Sequence, residues 1–304
     1  PGGAAARAGL RLGDQIISMN GHPITGDQFA TTIDPPVVAQ VRLVVRRRGL
    51  ARPLIITITA DPFRDQAGNS STGSLLGLGS RTVGYVDLQW APGGPAPAGQ
   101  ERWTDQTQGV IRSLDHAGAC GWMVDLRDTS SGDLWSYLAA LGPLLNPGVK
   151  GGFANPDGTH DSWSYRAGKV YWDGVERLGA DVLSGPAYTL RRSRPPIAVL
   201  TDSTTLSAGE LIAIMFTEHS PSRRFGEPTA GSPNEVMGTT LSDGAILAAS
   251  IASGVDNQGT VYGNHPLAPD QFVSIDWGNR GGSLRDPVVR AAANWLATQS
   301  ACRR

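Results

Sequence analysis

The chain has 304 residues, a formal charge of -1, and 39 glycines and 21 prolines, which fits one domain of catalytic size plus a smaller module, with many turns between short elements. So balanced a charge offers no basic footprint for nucleic acid or anionic membrane, and neither partner is expected. No apolar run approaches the ~18 residues of a spanning helix, and no charged-then-apolar leader precedes Pro1. The opening PGGAAARAGL reads as the middle of a module, so this N-terminus does not establish localisation.

Residues 1 to 60 read as a β-rich unit. AARAGLRLGDQIISMNGHPI predicts a short helix, a turn at Gly13-Asp14, a strand from Gln15 to Met19 and an Asn20-Gly21 turn; VRLVVRRR and LIITITA follow as alternating strands. The pattern AxxAGLxxGDxIxxxNG resembles the PDZ family, of which the segment covers only the later half. The resemblance therefore implies an incomplete edge for accepting a peptide terminus by strand addition. Residues 61 to 80, rich in Gly, Ser, Asp and Arg, are expected to form a linker or mobile loop.

From Thr82 the pattern changes. VGYVDLQW reads as a strand, and a Pro/Gly-rich stretch leads to a helix around Asp105 to His116. CGWMVDLRD suits a strand buried on both faces, and DTSSGDLWSYLAALGPLL turns from a small polar loop into a helix. DSWSYRAGKVYWDG reads as an aromatic hairpin, either a lid or side wall over a cleft or an ordinary edge hairpin. RPPIAVLTD is a second buried strand. AGELIAIMFTEH is a helix on the spacing of Ala208, Leu211, Ile212, Met215 and Phe216, with Glu210 in its first turn. GNRGGSLRDPVVRAAANWL closes the chain as a turn and an amphipathic helix.

Two strand, tight loop, helix units in succession predict an α/β layer whose loops meet outside the carboxyl ends of the strands. Ser207 falls at or near the N-cap of the second unit, where serine is favoured for capping alone. A facing amide-rich loop adds a backbone donor for a developing oxyanion, and that pairing lifts Ser207 above an ordinary cap.

GYVDLQW, VDLRDTSSGDLW, PPIAVLTDSTTLSAGELIA, RFGEPTAG, DGAIL and HPLAPDQFV occur in the order of the S41 serine peptidases, the C-terminal processing and tricorn-like family, which the chain resembles over nearly its whole length. The resemblance implies a layered α/β peptidase core at 81–304 behind a partial β-rich PDZ-like module at 1–60 and a linker at 61–80. It places the nucleophile on Ser207 and the oxyanion donors on the Ala208 N–H and the Ser131-Gly132 loop. Thr129 and Ser131 stand where the family commonly has Asn and Gly, and a glycine there often permits a positive φ that serine reaches only at a cost.

In the processing-peptidase branch a lysine follows the nucleophile by about 25 residues; Ser232 holds that place here. Lys150 and Lys169, the chain's two lysines, both precede Ser207, so that dyad is excluded and a histidine-using branch is implied. His219 lies 12 residues along the helix that Ser207 starts, about 18 Å away at 1.5 Å per residue. His116 precedes the strand whose far end carries the Ser131 loop, which puts it at the opposite end of the sheet. His22 and His160 read as surface residues, although the turn-rich insertion around His160 could cover a cleft. His265 is the internal candidate, in the loop where tricorn-like relatives supply a glutamate, a position Gly263 takes here. In histidine-using relatives the base comes from a turn before the PDZ module, which would lie upstream of Pro1.

The expected activity is peptide-bond hydrolysis through an acyl-enzyme on Ser207, weak or absent without the base. Peptide or protein is the expected partner, no metal or organic cofactor is required, and the expected location is outside the cytoplasm. The alternatives are a catalytically inactive peptide-binding or scaffolding protein on the same fold and, more remotely, a lipid or retinoid binder. Asp125 and Asp128 flank Arg127 as a charge-held loop, and Asp202 and Asp270 read as turn anchors. Trp135, Trp163, Trp172 and Trp295 read as packing residues. Cys120 and Cys302 lack metal-ligand spacing and are read as structural, either free or paired.

Overall fold

Val83, Val86, Val124, Val199 and Leu200 are completely buried, as central strands covered on both faces must be. The structure, a computed structural model, describes residues 4–11, 13–24, 40–59, 71–88, 90–91, 101–145, 147–166, 168–177, 183–217, 219 and 221–303. The chain divides into two compact units, Pro1–Asn69 and Ser70–Arg304.

In the first unit a short helix α1 (Ala4–Arg7) precedes strands β1 (Gln15–Met19), β2 (His22–Pro23), β3 (Gln40–Arg46) and β4 (Leu54–Thr59). They form an antiparallel sheet in the order β2-β1-β3-β4. Asn20 and Gly21 take φ of 50° and 87°, the left-handed pair that a two-residue hairpin of this hand requires. Leu43, Val45 and Ile56 make the small core, and Arg47 forks onto the Asp14 carboxylate at 2.7 Å through both Nε and Nη2.

In the second unit β5 (Thr72–Leu78) and β6 (Arg81–Asp87) form a hairpin. Thr72–Leu78 lies within the stretch expected as a linker, and residues 60–70 lie outside the described residues. The correction has a physical reason: Gly73 sits against Val110 and Leu114, so closely that a side chain there would collide with them. Its smallness serves packing rather than flexibility. Helix α2 (Trp103–His116) leads to β7 (Ala119–Asp125), then α3 (Leu134–Leu141) and a 3-10 turn, Gly142–Leu144. Strands β8 (Gly148–Ala154), β9 (His160–Arg166), β10 (Lys169–Trp172) and β11 (Val175–Glu176) follow. The chain continues through β12 (Ile197–Thr201), α4 (Ala208–Met215), β13 (Ser222–Gly226), β14 (Asn234–Thr240), β15 (Ile246–Val255), β16 (Gln271–Phe272) and α5 (Pro287–Thr298).

One six-stranded sheet runs β16-β13-β12-β7-β6-β5, parallel except for the β5–β6 hairpin. Along β12, Ile197 and Val199 join a core with α2, α3 and α4, while Ala198 and Leu200 face a second core with α5. This period of two is what helices on both faces demand. The other six-stranded sheet, β11-β10-β9-β8-β15-β14, is antiparallel. Its Phe153, Trp163, Tyr165 and Val170 pack into the core that contains α3 and α4. The aromatic hairpin β9–β10 is thus internal to this sheet, between β8 and β11, and is not an edge hairpin. Cys120 and Cys302 are paired, with Cα atoms 5.1 Å apart.

Candidate active site

Three parallel strands, β6, β7 and β12, end side by side: Asp87 aligns with Asp125, and Leu200 also aligns with Asp125. The loops after β7 and β12 therefore leave from the same end of the sheet, where ligand sites form in such layers. They are tied together. The Leu206 N–H donates to the Thr129 carbonyl (3.1 Å), the Thr205 hydroxyl to the Leu126 carbonyl (3.0 Å), and the Asp128 N–H to the Thr204 hydroxyl (3.1 Å). Gly209 lies against the Thr129 carbonyl with no room for a side chain. The residue before Ser207 is thus bonded two residues from Ser131.

Ser207 is half-buried and immediately precedes α4, with φ 55° and ψ -115°. An ordinary N-cap residue sits in the extended region. A residue with a Cβ held at positive φ costs about 1–3 kcal/mol, and such strain concentrates at functional turns. The same sharp strand-to-helix turn exposes the serine Oγ in other nucleophile elbows.

Glu210 holds this turn in place. Its carboxylate, fully buried, accepts from the Ser207 N–H (3.0 Å), the Thr229 hydroxyl (2.5 Å), the Gly231 N–H (2.8 Å) and the Ser232 N–H (2.7 Å). The Ala230 N–H donates to the Thr205 carbonyl at 2.9 Å. Gly231, at φ 90°, backs onto Pro266 so that a Cβ would lie 2.8 Å from its ring nitrogen. Through these links Ser207, Ser232 and the His265-Pro266 segment belong to one knot of chain. The Ser-x-x-Glu spacing of a capping box is a signal that could have marked Glu210, but its second grip, on Thr229 to Ser232, has no local signature.

The oxyanion-loop candidates are placed as follows. Gly132 takes φ 131°, and a side chain there would meet the Tyr137 ring at 2.7 Å. Ser131 is exposed and is not left-handed; besides Gly132, the positive-φ residue of this loop is Asp128, at φ 73°. The anticipated strain of serine for glycine at 131 is therefore absent. The Ser131 carbonyl accepts from the Tyr137 hydroxyl (3.0 Å), which accepts from the Ala91 N–H (3.0 Å). Thr129 is buried and donates its hydroxyl to the Leu88 carbonyl at 3.0 Å.

The histidines separate clearly. His265 is exposed, and the nearest atom to a Cβ built on Gly263 (φ 55°) is its Cδ2, at 4.0 Å. His219 is buried beyond the far end of α4, its Nε2 2.7 Å from the Pro195 carbonyl. His116 ends α2, with its ring 5.9 Å from Tyr188, while His22 and His160 are exposed. Among the described residues, no histidine or lysine side chain hydrogen-bonds to Ser207.

A charged framework lies at the same strand ends. Arg127 grips Asp125 through Nε (2.8 Å) and Nη2 (2.5 Å), and Asp286 through Nη1 (2.8 Å). Asp286 also caps α5, and the Tyr85 hydroxyl donates to Asp125 at 2.6 Å. Asp202 accepts from the Thr204 hydroxyl (2.6 Å) and from Arg280 (3.2 Å), and Asp270 accepts from the Arg224 N–H (2.7 Å). Burial, with Asp125 and Asp128 beside it, raises the Asp87 carboxyl from 3.8 to about 6. Among the described residues, no cluster of three or more metal-ligating side chains is present.

The fold and the paired loops define a peptidase core, and residues 82–273 match the family model of peptidase family S41. The chain belongs to that family. Residues 1–47 match a PDZ domain model. The nisin-resistance protein of Lactococcus lactis subsp. lactis is 33% identical over 186 residues, 57% of this chain and 54% of that protein. Carboxyl-terminal-processing peptidase 2, chloroplastic, of Arabidopsis thaliana is 26% identical over 306 residues, 97% of this chain and 53% of that protein. The chain spans about half the length of the curated relatives it matches. The solved photosystem II D1 C-terminal processing protease shares the fold, with a TM-score of 0.59 at 22% identity, covering 99% of this chain and 72% of that one. A lipoprotein from Streptococcus agalactiae aligns with a TM-score of 0.55 at 19% identity, covering 77% of this chain and 72% of that one.

Proposed function

We propose that the parent protein is a serine peptidase that hydrolyses peptide bonds through an acyl-enzyme on Ser207. The observation that carries this reading is the Ser207 backbone, whose φ of 55° and ψ of -115° lie outside the extended region of an ordinary cap. Ser207 Oγ attacks the scissile carbonyl. The Ala208 N–H, at the start of α4, and the amides of Ser131 and Gly132 are the donors for the oxyanion. A base takes the Oγ proton and returns it to the leaving amine.

The general base is a histidine from a segment of the parent N-terminal to this chain, with His265 as the internal alternative. Support comes from the absence, among the described residues, of any histidine or lysine bonded to Ser207, and from Ser232 standing where processing peptidases carry lysine. The substrate is a peptide or protein. The disulfide between Cys120 and Cys302 favours an oxidising location outside the cytoplasm.

The test is labelling of the complete parent with a fluorophosphonate, which reports an activated serine. Wild type is expected to label at Ser207, Ser207→Ala not at all, and His265→Ala at a rate within about tenfold of wild type, since losing a true base costs roughly 10²-fold or more. Equal labelling of wild type and Ser207→Ala would remove the assignment. An inert parent would favour a peptide-binding protein on the peptidase fold, a reading to which the hydroxyl of Thr129, committed to Leu88, lends some weight.

A further inference from the structure

Four carboxylates, Asp125, Asp128, Asp202 and Asp286, are held in pairs beyond the ends of β7 and β12 by two guanidiniums. Arg127 takes Asp125 and Asp286. Arg280 takes the other pair, and it comes from a third segment, between β16 and α5. Its Nη1 donates to Asp128 in the loop after β7, and its Nη2 to Asp202 in the loop after β12, at 3.2 Å. Asp128 stands three residues before Ser131, and Asp202 five before Ser207.

The two ends of this bridge differ. The Asp202 side chain is fully buried, and it also accepts from the Thr204 hydroxyl (2.6 Å) and N–H (2.9 Å). The Asp128 carboxylate is more than half exposed, on a backbone at φ 73° that a residue with a Cβ adopts only when its surroundings impose it. Asp202 thus anchors the guanidinium, and the guanidinium holds Asp128. The link is sheltered: the Arg280 side chain is 12% exposed, and its guanidinium lies 5.5 Å from the centre of the Trp277 ring. The next N–H, of Gly281, donates to Asp286 at 3.0 Å, which ties this segment to the carboxylate that Arg127 grips. A planar guanidinium bonded to two carboxylates at once is a stiffer link than an isolated surface ion pair.

We propose that Arg280 is a positioning residue of the peptidase site: by holding Asp128 it keeps the loop after β7 in register with the Ser207 loop and aims the Ser131 and Gly132 amides at the oxyanion. The inference rests on the reading of Ser207 as the nucleophile. Arg280 itself acts only through the loop.

The test is fluorophosphonate labelling of the complete parent, resolved into affinity for the reagent and maximal labelling rate. Asp128→Asn keeps an acceptor for Thr204 and a residue type that tolerates positive φ, and removes the charge that Arg280 holds. Arg280→Lys keeps a charge but loses the fork that spans both carboxylates. Each is expected to lower the maximal rate about tenfold with affinity unchanged, within the roughly 10²-fold that one lost oxyanion donor costs. The double variant is expected to be no slower than the slower single, because both changes break one link, whereas independent defects multiply. A wild-type rate in Asp128→Asn, a loss that falls on affinity alone, or a double variant slowed by the product of the two would overturn the role of Arg280 and leave Ser207 in place. A wild-type parent that does not label would overturn the Ser207 reading and this inference together. If Arg280→Lys does not fold, the rate and affinity of Asp128→Asn, changed at an exposed side chain, decide the matter.

Discussion

Ser207 offers a direct measurement of the strain assigned to it. Alanine keeps the Cβ and therefore the unfavourable φ of 55°, whereas glycine takes that conformation freely at the cost of a more flexible unfolded chain. Ser207→Gly should be more stable than Ser207→Ala by about 1 kcal/mol in urea unfolding; equal stability would mean the turn is relaxed. Asp87 makes a second prediction at this scale. Its folded carboxyl is raised to about 6 by burial first and by Asp125 and Asp128 next, so the folded state holds a proton that the unfolded state has released. The stability this contributes is complete below about pH 4 and is lost as pH rises through about 6. Asp87→Asn should therefore gain up to about 3 kcal/mol over wild type at pH 7.5 and nothing at pH 3.5, as read by paired denaturant titrations. Neither effect was legible beforehand: the serine announces a turn, but φ is set by the loops that cross it, and Asp87 reads in VGYVDLQW as one more polar strand end.

Helix α4 has only eight residues, too few to hold its shape unaided. What fixes its first turn is Glu210, whose four bonds join Ser207 to Thr229, Gly231 and Ser232. Glu210→Gln keeps the volume but turns one acceptor into a donor facing other donors. It should cost about 2–4 kcal/mol of stability and slow Ser207 labelling in the fraction that remains folded. A variant with full stability and full labelling would show that the clamp is dispensable. The periodicity of AGELIAIMF and the apolar runs of β7 and β12 made these elements plain, because buried parallel strands and short amphipathic helices carry strong local patterns. The strand Thr72–Leu78 reads in sequence as a linker because its Gly73 and Gly77 suggest flexibility, while the partner that orders it, Arg81–Asp87, lies beyond the next turn. The antiparallel sheet was hidden for a related reason. Its members pair across long separations, as when Ala154 meets Ser253, and no local spacing records such a meeting.

At the scale of the whole second unit, two alternate faces of one parallel sheet carry two cores, and the charged framework of Arg127, Asp125 and Asp286 fastens the loop after β7 to the cap of α5. The sequence does not decide whether the cysteines pair, because nothing in their surroundings indicates that a strand near the middle of the chain and the C-terminal tail meet. Joining residues 182 apart, the disulfide restricts the unfolded chain by about 5 kcal/mol on a chain-entropy account. It also closes a covalent ring that encloses both peptidase loops, Ser207, and the hairpin whose tip, Leu241 to Ala245, stands in solvent. Exposed tips of this kind are where other proteases cut. A molecule clipped there is cut without being divided: it should run as one species on a gel without reductant and as two with it, and it should keep its Ser207 labelling until the disulfide is reduced. Wherever a protease meets that tip, such a ring turns a first cleavage from a loss of parts into a survivable scar.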